Sequence, residues 1–150
     1  MVLIAWWRAL LQDDTALILP ATLAHEIAHQ ALGHPGRRIL RLLTHLQCAG
    51  LAFGVLAMAL HAPWPLILVT AVVTVAARLC LDRTYCHDEL AADLHAVTLL
   101  DRAGIPGRRA IGATLAEDAA AEPRWHALTG WIFTGHPTVS ARLRNLRQGR

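Results

Sequence analysis

Residues 25–29 read His-Glu-Ile-Ala-His, a spacing suited to metal-dependent hydrolysis. On a helix, positions i and i+4 share a face, so His25 and His29 can both turn a ring nitrogen toward one ion. Glu26 sits one residue past the first histidine. There it can stay outside the coordination shell and take a proton from the attacking water. The alternative is a pair of histidines that is solvated or faces the core, and a third donor decides between the two. One class of zinc peptidase places a histidine ten residues after the first, with glycine at seven. Here those positions hold Pro35 and Leu32, which excludes that class. His34 lies off the shared face and reads as a loop residue.

Glu89 is the better third donor. The segment His87-Asp88-Glu89-Leu90-Ala91-Ala92-Asp93-Leu94-His95 has a helical pattern, with Leu90, Leu94, Val97 and Leu100 as its apolar set and Gly104 as its stop. Glu89 and Asp93 share a face. Glu89 can complete a His2Glu site, and Asp93 can accept the second ring N–H of a ligand histidine. Ala91 and Ala92 would let two helices approach closely. The competing view is an ordinary acidic helix start. His87 and His95 are rival ligands, though neither shares the Glu89 face well.

These residues need elements to hold them. Thr22-Leu23-Ala24 before the motif and Ala31-Leu32-Gly33 after it predict a helix with a glycine stop. Asp13, Asp14 and Thr15 are candidate caps, and Pro20 predicts either a start or a kink there. Between the two halves of the site, Leu42–Ala77 contains no Asp, Glu, Lys or Arg. That run is too long for one membrane span of about 20 residues. It is broken by His61-Ala62-Pro63-Trp64-Pro65, so it predicts two transmembrane helices, 42–61 and 65–81, joined by a tight turn. A buried hairpin in a soluble α-helical core is the alternative. Arg37, Arg38 and Arg41 precede the hairpin, Arg78 and Arg83 end it, and the turn has no arginine. Both ends should therefore face the cytoplasm, where the two halves of the site can meet.

Composition agrees. The chain has 150 residues, of which 55% are hydrophobic and 17% charged. That is a single domain, 1–150, and it excludes disorder, collagen and coiled coil. All 14 basic residues are arginine, dispersed between apolar segments, so no nucleic-acid partner is expected. Cys48, Cys80 and Cys86 form no disulfide framework and no zinc ribbon. Met1–Trp7 is apolar but short, Arg8 interrupts it, and it does not read as a signal peptide.

HEIAH, the Glu89-to-Asp93 ExxxD and the apolar hairpin between them resemble the HtpX and CAAX prenyl protease type of integral-membrane zinc metallopeptidase. Gly135-His136-Pro137-Thr138-Val139-Ser140-Ala141-Arg142-Leu143 resembles that family's C-terminal His-Pro segment, which precedes a helix bearing an arginine. Leu10–Asp14 resembles the stretch leading into its HExxH helix. The resemblance implies a mainly α, gluzincin-like core with the transmembrane hairpin inserted between HExxH and the third-ligand helix. It implies one Zn2+ per chain held by His25, His29 and Glu89, with Glu26 as the catalytic base. Such members usually carry an earlier membrane hairpin. Here Met1–Ala5 leaves room for at most a short edge strand.

The remaining segments add detail. Pro106-Gly107 open a helix of about 108–121, which Pro123 ends. Trp125, Trp131 and Phe133 read as core or interfacial anchors. Thr138 is a candidate cap of the last helix, with Arg142 about a turn along it in a structural or substrate-facing role. His136 is either an oxyanion donor or a plain loop histidine beside proline. Arg142–Arg147 is basic and amphipathic.

The expected function is a zinc-dependent endopeptidase of the inner membrane, multi-pass, with protein or peptide substrates, a lipid bilayer around it and a cytoplasm-facing site. Alternatives are the peptidase part of a membrane sensor and a non-catalytic zinc-binding membrane scaffold.

Overall fold

Asp13 opens the first helix. Its carboxylate accepts from Thr15 N at 3.0 Å and from Thr15 Oγ1 at 2.6 Å, satisfying an amide that a helix start leaves bare. The structure, a computed structural model, describes residues 13–34, 37–122 and 136–149. Helix α1 is Asp14–Ala31 and contains Pro20. Its start lies before the proline because Asp13 caps it and buried Leu17 and Ala21 flank the proline in the core. Gly33, at φ +68°, ends the helix in the left-handed region that favours glycine.

Helices α2 (Arg38–Ala59) and α3 (Trp64–Arg102) form an antiparallel hairpin. His61 turns the chain at φ +53°, Pro63 caps α3, and Pro65 lies in its first turn. Gly50 and Gly54 of α2 face Thr74 and Thr70 of α3. A Cβ on Gly50 would overlap Thr74 Oγ1, and one on Gly54 would stand 3.6 Å from Thr70 Cγ2. The small residues let the two backbones close on each other.

The expected span 65–81 and the ligand-bearing segment 87–95 are parts of one helix. Helix α3 runs unbroken for 39 residues. The stretch Asp82–Cys86 contains no glycine or proline, and its charge is accommodated within the helix, where Arg78 Nε donates to Asp82 Oδ2 at 2.9 Å. No strand occurs among the described residues. The expected edge strand at Met1–Ala5, and Trp125, Trp131 and Phe133, lie outside them.

Helices α4 (Gly107–Ala121) and α5 (Val139–Gln148) complete the fold. Thr138 caps α5 through Ala141 N at 3.3 Å, as the sequence predicts. The core combines Leu17, Ala21, Ala24 and Ala28 of α1 with Ala92, Ala96, Val97 and Leu100 of α3. Ala110, Ile111 and Leu115 of α4 and Val139 and Leu146 of α5 close it. Ala21, Ala28, Ala92 and Ala96 are fully buried. Their lack of bulk brings α1 against the C-terminal half of α3, and the fold is mainly α, as the sequence implies. The apolar windows of α2 and α3 are only 6% and 11% buried within the protein. Both helices are long and apolar enough to cross a membrane.

Candidate metal centre

The α1–α3 contact places three donors together. His25 Nε2 lies 3.4 Å from Glu89 Oε2, and His29 Nε2 lies 3.4 Å from Glu89 Oε1. The two Nε2 atoms are 3.1 Å apart. A tetrahedral ion with bonds of about 2.0–2.2 Å sets its ligand atoms about 3.4 Å apart. With one ligand atom from each residue lying within 4.8 Å of the others, the two imidazoles and the carboxylate are a donor set that would suit one zinc ion. His87 does not belong to it, its side chain being 78% exposed, and His95 is not among the converging donors.

Asp93 stands behind His25. Its Oδ1 lies 3.0 Å from His25 Nδ1, the place for the carboxylate that fixes a ligand histidine's tautomer. Asp93 is fully buried and receives a two-pronged guanidinium. Arg142 Nε donates to Oδ2 at 2.8 Å, and its terminal nitrogen donates to Oδ1 at 2.7 Å. Helix α5 thus reaches the metal centre through Arg142, Asp93 and His25. Arg142 touches the buried carboxylate directly.

Electrostatics follow from these contacts. Burial opposes the charged form of His25, but its bonds to Asp93 and Glu89 outweigh that and push its pKa up from 6.5 to about 9. Burial likewise opposes both carboxylates. The His25 hydrogen bond at Glu89 and the Arg142 hydrogen bond at Asp93 prevail, holding each below the usual range.

Glu26 is exposed and lines a cavity of about 610 Å³ with His29, His34, Arg41, Tyr85 and His136. This cavity connects the metal centre with the base of the hairpin. His136 Nδ1 lies 3.7 Å from Glu89 Oε1, and its side chain is 69% exposed. It reaches the centre from the cavity side.

His34 is the main departure from the sequence expectation. It lies in the turn after α1, yet it is 4% exposed, and its Nδ1 is 2.9 Å from His29 Nδ1. The left-handed Gly33 folds the chain back, which a straight helical projection cannot show. Behind His34 lies Asp88, also buried, whose Oδ1 accepts from the Arg37 guanidinium at 2.5 Å. Sequence reasoning passed over Asp88 and Arg37 as site residues. The available signal was an aspartate beside the candidate donor Glu89 on the same helix.

A helix-borne HExxH, a glutamate donor from a second helix and a buried ExxxD aspartate define a mainly α metallopeptidase. Residues 3–150 match the model of peptidase family M48, and the chain belongs to that family. That membership is consistent with the HtpX and CAAX protease type that the motifs resemble. No curated protein and no solved structure gives a significant match to the chain.

Proposed function

We propose that the chain is a zinc-dependent endopeptidase of the inner membrane that cleaves membrane or misfolded proteins at a cytoplasm-facing site. The observation that carries this reading is the convergence of His25 Nε2, His29 Nε2 and Glu89 at 3.1–3.4 Å, with Glu26 beside them on the open cavity. His25, His29 and Glu89 hold the ion, one per chain. Bound zinc supplies Lewis-acid polarisation of the scissile carbonyl and of the attacking water. Glu26 accepts that water's proton and passes it to the leaving amine. Asp93 keeps the His25 ring oriented, with Arg142 clamping Asp93. His136, on the cavity side, serves as donor to the tetrahedral oxyanion.

The membrane setting rests on the exposed apolar faces of α2 and α3 and on the arginines at the open end of the hairpin, with none in its turn. Replacing Glu26 by Gln keeps shape and removes the base. Zinc content and melting temperature should be unchanged, and cleavage of a casein-like or unfolded membrane-protein substrate should fall at least about a hundredfold. Equal cleavage by wild type and Glu26→Gln would assign the activity to another site. Absence of cleavage by a zinc-loaded wild type, across several substrates, would favour a zinc-binding scaffold.

A further inference from the structure

An imidazole that ligates through Nε2 carries its proton on Nδ1, and that proton needs an acceptor. For His25 the carboxylate placed to accept it is Asp93, whose Oδ1 lies 3.0 Å from Nδ1. On the other ligand, the atom within hydrogen-bond distance of His29 Nδ1 is Nδ1 of His34, at 2.9 Å. We propose that His34 is a positioning residue of the metal centre: its Nδ1 accepts from His29 Nδ1–H and holds His29 in the tautomer that leaves Nε2 for the ion. This inference rests on the proposed zinc site.

The surroundings of His34 support that direction of donation. If Nδ1 accepts, the proton of His34 lies on Nε2. That atom is buried and stands 3.7 Å from Asp88 Oδ1, too far for a full hydrogen bond but on the electrostatically favourable side of a carboxylate. The opposite tautomer would turn a bare Nε2 lone pair toward Asp88 and set two N–H groups against each other at His29. Arg37, which bonds Asp88 and sits at the cap of α2, fixes the far end of the chain. His34 is not a fourth ligand, because it meets His29 at Nδ1, on the side of the ring away from the converging Nε2 atoms. The ring is held from both directions: Gly33 returns it toward α1, and it packs edge-on against His29 with centroids 5.0 Å apart. The metal centre thus has a support on each side, Asp93–Arg142 tied to α5 and His34–Asp88–Arg37 tied to the start of the hairpin.

The test uses the full chain in detergent. Zinc affinity is measured by chelator competition for wild type, His34→Leu and His34→Asn, with melting of each metal-free protein as the control for folding. His34→Leu should bind zinc about 10- to 100-fold more weakly. His34→Asn can place an amide oxygen where Nδ1 stands, and it should recover most of that loss. The second readout needs no variant. Long-range 1H–15N spectra of the zinc-loaded wild type should show a His34 ring protonated at Nε2 and bare at Nδ1. A His34→Leu protein that binds zinc as tightly as wild type would overturn the inference, as would a His34 ring protonated at Nδ1. A wild type that binds no zinc removes the proposed function and this inference together. A zinc-binding wild type with either overturning result removes this inference alone.

Discussion

At His25 a proton and the proposed zinc ion would compete for the same ring. Its pKa of about 9 in the metal-free fold, against an ordinary 6.5, means that the proton stabilises the fold fully below pH 6.5. That contribution is lost as pH rises through 9. Metal-free protein should therefore melt at progressively lower temperature between pH 6.5 and 9, while apparent zinc affinity rises across the same window as the competing proton leaves. A flat zinc affinity over that range would show that His25 does not ligate through the ring that Asp93 holds. Arg142 makes a second prediction. Its guanidinium neutralises a fully buried carboxylate, so Arg142→Met should destabilise the fold by about 3–5 kcal/mol, the usual cost of stranding one member of a buried pair. Chemical denaturation of the detergent-solubilised protein measures it, and a loss under about 1 kcal/mol would mean Asp93 finds another partner or a proton. Much of this centre was legible in the residues. HExxH spacing placed His25, Glu26 and His29, and the i+4 rule paired Glu89 with Asp93. His34 was not legible, because its direction depends on one backbone angle at Gly33, and helical periodicity carries no information past a helix end.

At the scale of the elements, the α2–α3 hairpin was readable from an uncharged run split by two prolines, but the length of α3 was not. The charges that end the apolar run set the end of the span in the sequence but say nothing of whether the helix continues past them. The structure places Arg78 against Asp82 within one helix, so the chain leaves the apolar region without changing its secondary structure. The hairpin itself depends on contact between Gly50 and Thr74. Gly50→Leu should force the helices apart. We expect the Gly50→Leu protein to show slower, incomplete assembly and enhanced proteolysis at the 60–63 turn in liposomes, with its zinc ligands chemically intact. Unchanged protease resistance would mean the hairpin is held by the bilayer and its ends alone. The α1–α3 interface depends on small side chains in the same way, with Ala28 and Ala92 leaving room for the His25–Glu89 approach. Composition foretold this contact only in part, since alanine pairs are common on helices that touch nothing.

At the scale of the whole molecule, the protein divides along α3. One end carries exposed Leu, Ile and Val side chains, and the other carries a packed four-helix cluster with the metal centre against it. With the uncharged run in the bilayer, α3 acts as a ruler. From Ala77, where that run ends, to Glu89 the helix climbs roughly 18 Å. A tilt shortens this height but does not abolish it. On the proposed reading the chemistry would thereby be indexed to a fixed level above the hydrocarbon, and an extended chain needs about five or six residues to cover that distance. Mapping the cleavage points on a membrane-protein substrate reconstituted in the same bilayer should place them at least about that far outside its spans. Cuts within a hydrophobic span would contradict this spacing. Substrates would then be sorted by the slack of the chain beside the membrane: a polypeptide that has lost its fold can pay out enough free tail to reach the ion, whereas one anchored tightly at the lipid surface cannot.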